Sequence, residues 1–117
     1  MNQTLPKRER LSGRTAVSTL MKKGRWGVMG CLKYCYLSPG GDEVTRIMVS
    51  VSKRSFKRAV RRNLLKRRIR EAYRLQKQLL PAPVDVMFIY LPKEVLPFGD
   101  IYAAMTEVLT AISAKMQ

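Results

Sequence analysis

Histidine is missing from the sequence altogether. That removes Ser-His-Asp, Cys-His and His-metal arrangements from the possible active centres and leaves only carboxylate, lysine or tyrosine chemistry. Carboxylates are scarce as well, with 8 Asp and Glu against 23 Lys and Arg. Only Asp42 and Glu43 adjoin, and they follow Pro39, Gly40 and Gly41, which reads as a solvated hairpin turn rather than an acid–base pair. Cysteine is limited to Cys31 and Cys35, too few for a disulfide framework or a four-ligand zinc site, so reduced thiols in a strand are expected. No apolar run approaches the roughly 18 residues of a membrane span. Lys7, Arg8, Glu9 and Arg10 stand without the hydrophobic region of a secretory signal, so a cytoplasmic protein without membrane association is expected.

What is abundant is positive charge on a chain able to fold. With 117 residues, 46% of them hydrophobic, one domain over residues 1–117 with a modest core is expected, and a disordered tail is excluded. The formal charge of +15 is unevenly spread. From Lys53 to Lys77, Lys and Arg recur with Glu71 as the single acidic residue. From Gln78 onward, Lys93 and Lys115 face Asp85, Glu94, Asp100 and Glu107. Function is therefore expected in the N-terminal and central segments, and core building in the C-terminal part.

The hydrophobic pattern predicts the order helix, strands, helix, strand, helix. Ser12 as N-cap, Val17, Leu20 and Met21 on one face, and Gly24 as stop predict a short first helix. Leu32, Tyr34 and Tyr36 alternate with Lys33 and Cys35, and Ile47, Val49 and Val51 alternate with Met48 and Ser50. Across the Pro-Gly-Gly-Asp loop, these read as antiparallel strands joined by a hairpin. Ser55 to Leu80 lacks Gly and Pro and predicts one long helix ending at Pro81. Val84 to Tyr90 has the composition of a buried central strand, closed by Pro92. Asp100 can cap a last helix whose Ile101, Met105, Val108, Leu109 and Ile112 form an apolar stripe. The expected class is α+β, a small α/β sandwich with about four strands packed by helices.

The long helix carries the functional signal. Arg58, Arg62, Lys66, Arg70 and Arg74 fall on one i, i+4 row, with Asn63 and Arg67 beside it. Leu64, Leu65, Ile69, Ala72, Leu75 and Leu79 are expected to bury against the sheet, and Arg68, inside that arc, to snorkel. Like charges at this spacing destabilise a helix, so folding does not reward the row, whereas a polyanion does. A helix-turn-helix DNA reader fits less well, because a strand rather than a short helix precedes this element. RNA fits better. Tyr34 and Tyr36 are then either stacking surfaces for bases or ordinary core aromatics.

The run Ser50-Val51-Ser52-Lys53-Arg54, continued by Arg58-Ala59-Val60-Arg61-Arg62-Asn63-Leu64-Leu65-Lys66-Arg67-Arg68-Ile69-Arg70-Glu71-Ala72, resembles the bacterial ribonuclease P protein subunit and its Arg-Asn-Arg signature. The similarity extends to Lys7–Leu11, the helix ending at Gly24, and the strand and helix after Pro81. It implies a βαβ crossover carrying the basic helix. It also implies an RNA-based endonuclease in which a catalytic RNA with Mg2+, bound mainly by that RNA, removes the 5′ leader of precursor tRNA. The protein is then a monomer, one per RNA, that assists without cleaving.

The resemblance assigns Lys53, Arg54, Arg62, Asn63, Lys66, Arg67 and Arg70 to the catalytic RNA, and Lys57, Arg58, Arg61 and Arg74 of the same basic segment are expected to bind RNA with them. It implies a leader cleft between the first helix and the sheet with Val17 and Met21 in it, where Arg10, Tyr34 and Tyr36 are expected as well. Val17 and Met21 stand where the family carries phenylalanines, and Leu64 where the signature has its second Arg. A basic ribosomal or other structural RNA-binding protein is the alternative.

Overall fold

The computed structural model describes residues 6–116. A 3-10 turn, Lys7–Glu9, leads into α1 (Arg14–Lys23), β1 (Arg25–Met29), β2 (Leu32–Leu37) and β3 (Arg46–Ser50). There follow α2 (Ala59–Arg74), a second 3-10 turn (Lys77–Leu79), β4 (Asp85–Tyr90) and α3 (Phe98–Met116). The strands form one sheet in the order β1-β2-β4-β3, with β3 and β4 parallel and the other pairs antiparallel. The expected α+β class and the βαβ crossover through α2 are both present.

One pairing differs from expectation. The strands flanking the Pro-Gly-Gly-Asp loop, β2 and β3, do not form a hairpin, because β4 lies between them and bonds to both. β4 is the most apolar strand, buried at every position but Ile89, and a strand of that kind gains most by having neighbours on both edges. The hairpin in this sheet joins β1 to β2 through Gly30 and Cys31, with Gly30 at φ 57°. The chain before α1 extends the sheet beyond β3 through an isolated Arg10–Ile47 bridge and the bond from Leu11 N to Ile47 O.

Strand alternation gives the sheet two differently covered faces. Leu32, Tyr34 and Tyr36 join Val86, Phe88, Ile69 and Leu109 in the main core beneath α2 and α3. Cys35 and Met87 pack on the other face with Leu11 and Leu20, beneath α1. The helix boundaries also shift. α1 is capped by Gly13, at φ 93°, and not by Ser12. It stops at Gly24 in extended conformation, where a Cβ would come within 2.5 Å of Cys35 Sγ, so close packing rather than a left-handed turn requires glycine there. α2 is shorter than expected: Phe56 drops into the core before it. Gln76 is buried after it, donating to Ala72 O and to Tyr102 O of α3 at 3.3 and 3.1 Å. α3 begins two residues ahead of Asp100, directly after Pro97, and buries every apolar position expected of it.

Asp85, at the start of β4, is 4% exposed and accepts from Arg46 Nε at 3.0 Å, Arg46 Nη2 at 2.8 Å and Gly41 N at 3.1 Å. It anchors the 38–45 loop to the start of the central strand β4.

Candidate nucleic-acid interface

The basic residues sit on a scaffold fixed from both ends. Ser52 starts a turn in which its carbonyl accepts from Phe56 N and its hydroxyl from Arg54 N, leaving Lys53 and Arg54 exposed at the tip. Buried Phe56 anchors the loop, and Arg62 Nη1 reaches back from α2 to Phe56 O at 2.7 Å and Lys57 O at 2.9 Å. Lys57 and Arg58 are exposed immediately before α2, and Arg61, Asn63 and Arg67 are exposed on it.

The row from Arg58 to Arg74 is not one outward ridge. Each i, i+4 step turns about 40° around a helix, so a row of that length passes from one flank to another. α2 turns Leu65, Ile69, Ala72 and Tyr73 to the core, and Tyr73 packs on Phe88 with ring centres 6.2 Å apart. Arg62, Lys66, Arg70 and Arg74 are consequently half-buried. Arg62 holds the loop, and Arg74 forms a two-pronged bond with Glu71 at 2.7 and 2.8 Å that keeps the Glu71 carboxyl below its usual range. The same rotation leaves Leu75 exposed and Leu64 half-buried, and Leu79, in the 3-10 turn after α2, is exposed as well, where the sequence suggests core positions. Arg68 snorkels as expected, Nη1 donating to Leu96 O at 2.7 Å.

The N-terminal segment joins this surface. Glu9 accepts from Lys77 Nζ at 3.0 Å, tying the first 3-10 turn to the segment after α2. Burial, and then the neighbouring charge of Arg10, push the Arg70 guanidinium below its ordinary value. Arg10, bridged to Ile47 of β3, thus lies near enough to α2 for its charge to act on Arg70. Among the described residues, none of Lys53, Arg54, Lys57, Arg58, Arg61, Lys66, Arg67 or Arg70 has an ion-pair partner.

The tyrosines assigned to the leader cleft are elsewhere. Tyr34 and Tyr36 are 2% and 4% exposed and point into the core under α2 and α3, away from α1. The face that α1 packs on instead carries Trp26, paired with Cys35, and Val28, paired with Lys33. Trp26 is 42% exposed, and Lys33 Nζ lies 5.1 Å from the centre of its ring. On α1, Val17 is half-buried and Met21 exposed, so this face still offers apolar surface beside cations. The signal for Lys33 was the alternation itself, since Lys33 must face away from Tyr34 and Tyr36, whereas Trp26 reaches this face through the pairing of β1 with β2.

Burial raises the thiols of Cys31 and Cys35 and so keeps them protonated. Among the described residues, no three Cys, Asp or Glu converge to hold a metal ion. Asp42 accepts from Glu43 N, Glu43 lies 3.6 Å from Arg8, and Asp85 is committed to Arg46, so these carboxylates serve loop structure. No helix among the described residues is long and apolar enough to cross a membrane.

The family model for ribonuclease P matches residues 5–113. The ribonuclease P protein component of Porphyromonas gingivalis is 33% identical over 121 aligned residues, covering 96% of this chain and 88% of the relative. That of Dictyoglomus turgidum is 34% identical over 110, covering 94% and 90%. Among solved structures, the ribonuclease P protein of Thermotoga maritima superposes with a TM-score of 0.77 at 26% identity, covering 89% of this chain and 97% of that one. A fold of this kind alone would have left a ribosomal scaffold protein possible. With a basic loop and helix on one flank and the relatives agreeing across nearly the whole length, the chain belongs to the ribonuclease P protein family, the protein components of the RNA-based endonuclease that matures tRNA 5′ ends.

Proposed function

We propose that this chain is a monomeric, cytoplasmic, non-catalytic subunit, one per catalytic RNA, whose single domain binds that RNA through the 53–58 loop and α2. It holds the 5′ leader of precursor tRNA on the sheet face beside α1. The observation that carries this reading is the cluster of unpaired cations on one pinned loop and helix, which costs folding energy and is rewarded by phosphate.

Catalysis is assigned to the RNA. The sequence has no histidine, and the described carboxylates are dispersed or committed to arginine and backbone partners. Those residues do not fit a magnesium site, so the Mg2+ needed for hydrolysis is assigned to the RNA as well. The protein's part is electrostatic and positional: Lys and Arg between two polyanions release counterions and offset their repulsion.

For the leader, Trp26 replaces the tyrosines as the stacking surface, with the Lys33 ammonium over its ring available for a phosphate, and Met21 of α1 is exposed as well. Single-stranded RNA offers bases free to stack, which the mature tRNA lacks at its 5′ end.

The test is multiple-turnover cleavage of a leader-bearing precursor tRNA by the cognate catalytic RNA at low magnesium, with and without this protein. Stimulation is expected, and it is expected to fall steeply when Arg54, Arg58 and Arg61, all exposed, become Ala. A folded protein that leaves the RNA's rate unchanged would refute the reading.

A further inference from the structure

At the seam where α2 meets the start of α3 lies a hollow of about 210 Å3, lined by Leu64, Arg67, Arg68, Glu71 and Phe98. It is mainly apolar, although it opens on the most cationic helix of the molecule. Its rim is held open. Arg68 is drawn aside to Leu96 O, and both oxygens of Glu71 are engaged by Arg74. Arg67 is exposed and has no ion-pair partner among the described residues. Phe98 is half-buried, with its ring centre 5.9 Å from that of Tyr102.

The size and the charge together select an occupant. The volume is below the roughly 300–1,000 Å3 of sites that enclose drug-sized ligands, and suits one ring system rather than a peptide segment. A basic partner is repelled by the surrounding arginines. A nucleotide brings a flat ring for the aliphatic floor and aromatic wall, and a phosphate for the free guanidinium at the rim. We propose that this hollow is a socket for one unpaired nucleobase of the catalytic RNA, an inference that rests on the assignment of α2 to that RNA. Leu64 supplies the floor of the site.

Base stacking and phosphate contact differ in salt dependence, which gives the experiment. Affinity of the full-length protein for the catalytic RNA is measured across a salt series for wild type, Phe98→Ala, Phe98→Tyr, Leu64→Gln and Arg67→Ala. Phe98→Ala is expected to weaken binding about five- to a hundredfold at every salt concentration, with the slope of log affinity against log salt unchanged. Phe98→Tyr, which keeps the ring, is expected to bind like wild type, whereas Arg67→Ala lowers the slope by about 0.7–0.9. Far-UV circular dichroism monitors folding, and Leu64→Gln, at a half-exposed helix position, carries the test if Phe98→Ala unfolds.

Wild-type affinity in folded Phe98→Ala and Leu64→Gln would overturn the socket, as would a reduced slope in Phe98→Ala. Self-association of the wild type that these variants abolish would assign the hollow to a second copy instead. If Arg54, Arg58 and Arg61→Ala also leaves affinity unchanged, the assignment of the 53–58 loop and α2 to the RNA fails with it. If that variant weakens binding and Phe98→Ala does not, the socket alone is lost.

Discussion

Trp26 bears most directly on the leader assignment, because its indole is exposed on the face beside α1 with the Lys33 ammonium over its ring. Trp26→Ala is expected to reduce holoenzyme affinity for precursor tRNA about five- to a hundredfold while leaving mature tRNA unchanged, and Trp26→Phe to restore most of the loss. Equal losses for precursor and mature tRNA would move Trp26 out of the leader path. Asp85 makes the opposite case, a carboxylate whose role is structural. Asp85→Asn removes a charge from the partly buried pair with Arg46 and presents an amide donor to a guanidinium. A loss of about 2–3 kcal/mol is expected in urea unfolding, read as a lower midpoint at constant m. Tyr73 sets an alkaline limit. Burial first, then the charge of Glu9, push its hydroxyl up to about 12 from 10.0, against a hydrogen bond with Thr45 that lowers it. Between those values the unfolded chain loses the proton before the folded one, so this contribution to stability is complete below pH 10 and is lost as pH rises towards 12. Tyr73→Phe should show a shallower decline over that window in denaturant titrations.

α2 joins the readable and unreadable parts of the sequence in one element. Its existence and charge were legible, since nothing from Ser55 to Leu80 breaks a helix. Its ends were not, because Phe56 and Gln76 leave the helix to satisfy tertiary contacts that no local propensity encodes. Its rotation was not either. Leu75 and Tyr73 are both apolar enough for the core, and contact with Phe88 decides for Tyr73. The same limit explains the sheet: alternation marked the strands, but pairing is non-local, and the apolar run of β4 was the sign that it needed two neighbours. Alternation likewise separated Lys33 from the tyrosines without saying which face was the core. A consequence of the rotation is that the arginines of α2 divide by role. Arg62→Ala should release the 53–58 loop, seen as faster amide exchange at Lys57 and Arg58, and weaken RNA binding by more than loss of the exposed Arg61 does. Equal effects would mean that the loop is held without Arg62.

At the scale of the whole molecule, the charge of +15 acts on every RNA that approaches, so high affinity by itself does not discriminate precursor from mature tRNA. Discrimination must come from the part of the surface that only the leader reaches. On the proposed reading that part is the sheet face beside α1, with Trp26 and Lys33, which lies across the sheet from the packing of α2 and α3. Salt separates the two contributions. Contacts to the tRNA body are common to both ligands and cancel in the ratio of precursor to mature affinity, whereas leader phosphates held by the protein do not cancel. The ratio measured with the holoenzyme should therefore fall as salt rises, by about 0.7 log units per decade for each leader phosphate contacted. The ratio for the RNA without protein should stay nearly flat, since no protein cation meets the leader there. Lys33→Ala should flatten the holoenzyme slope by one contact, and Trp26→Ala should lower the ratio without changing its slope. A holoenzyme ratio independent of salt would mean that the leader is held by stacking alone, and a slope unaffected by Lys33→Ala would place the phosphate contact on another cation.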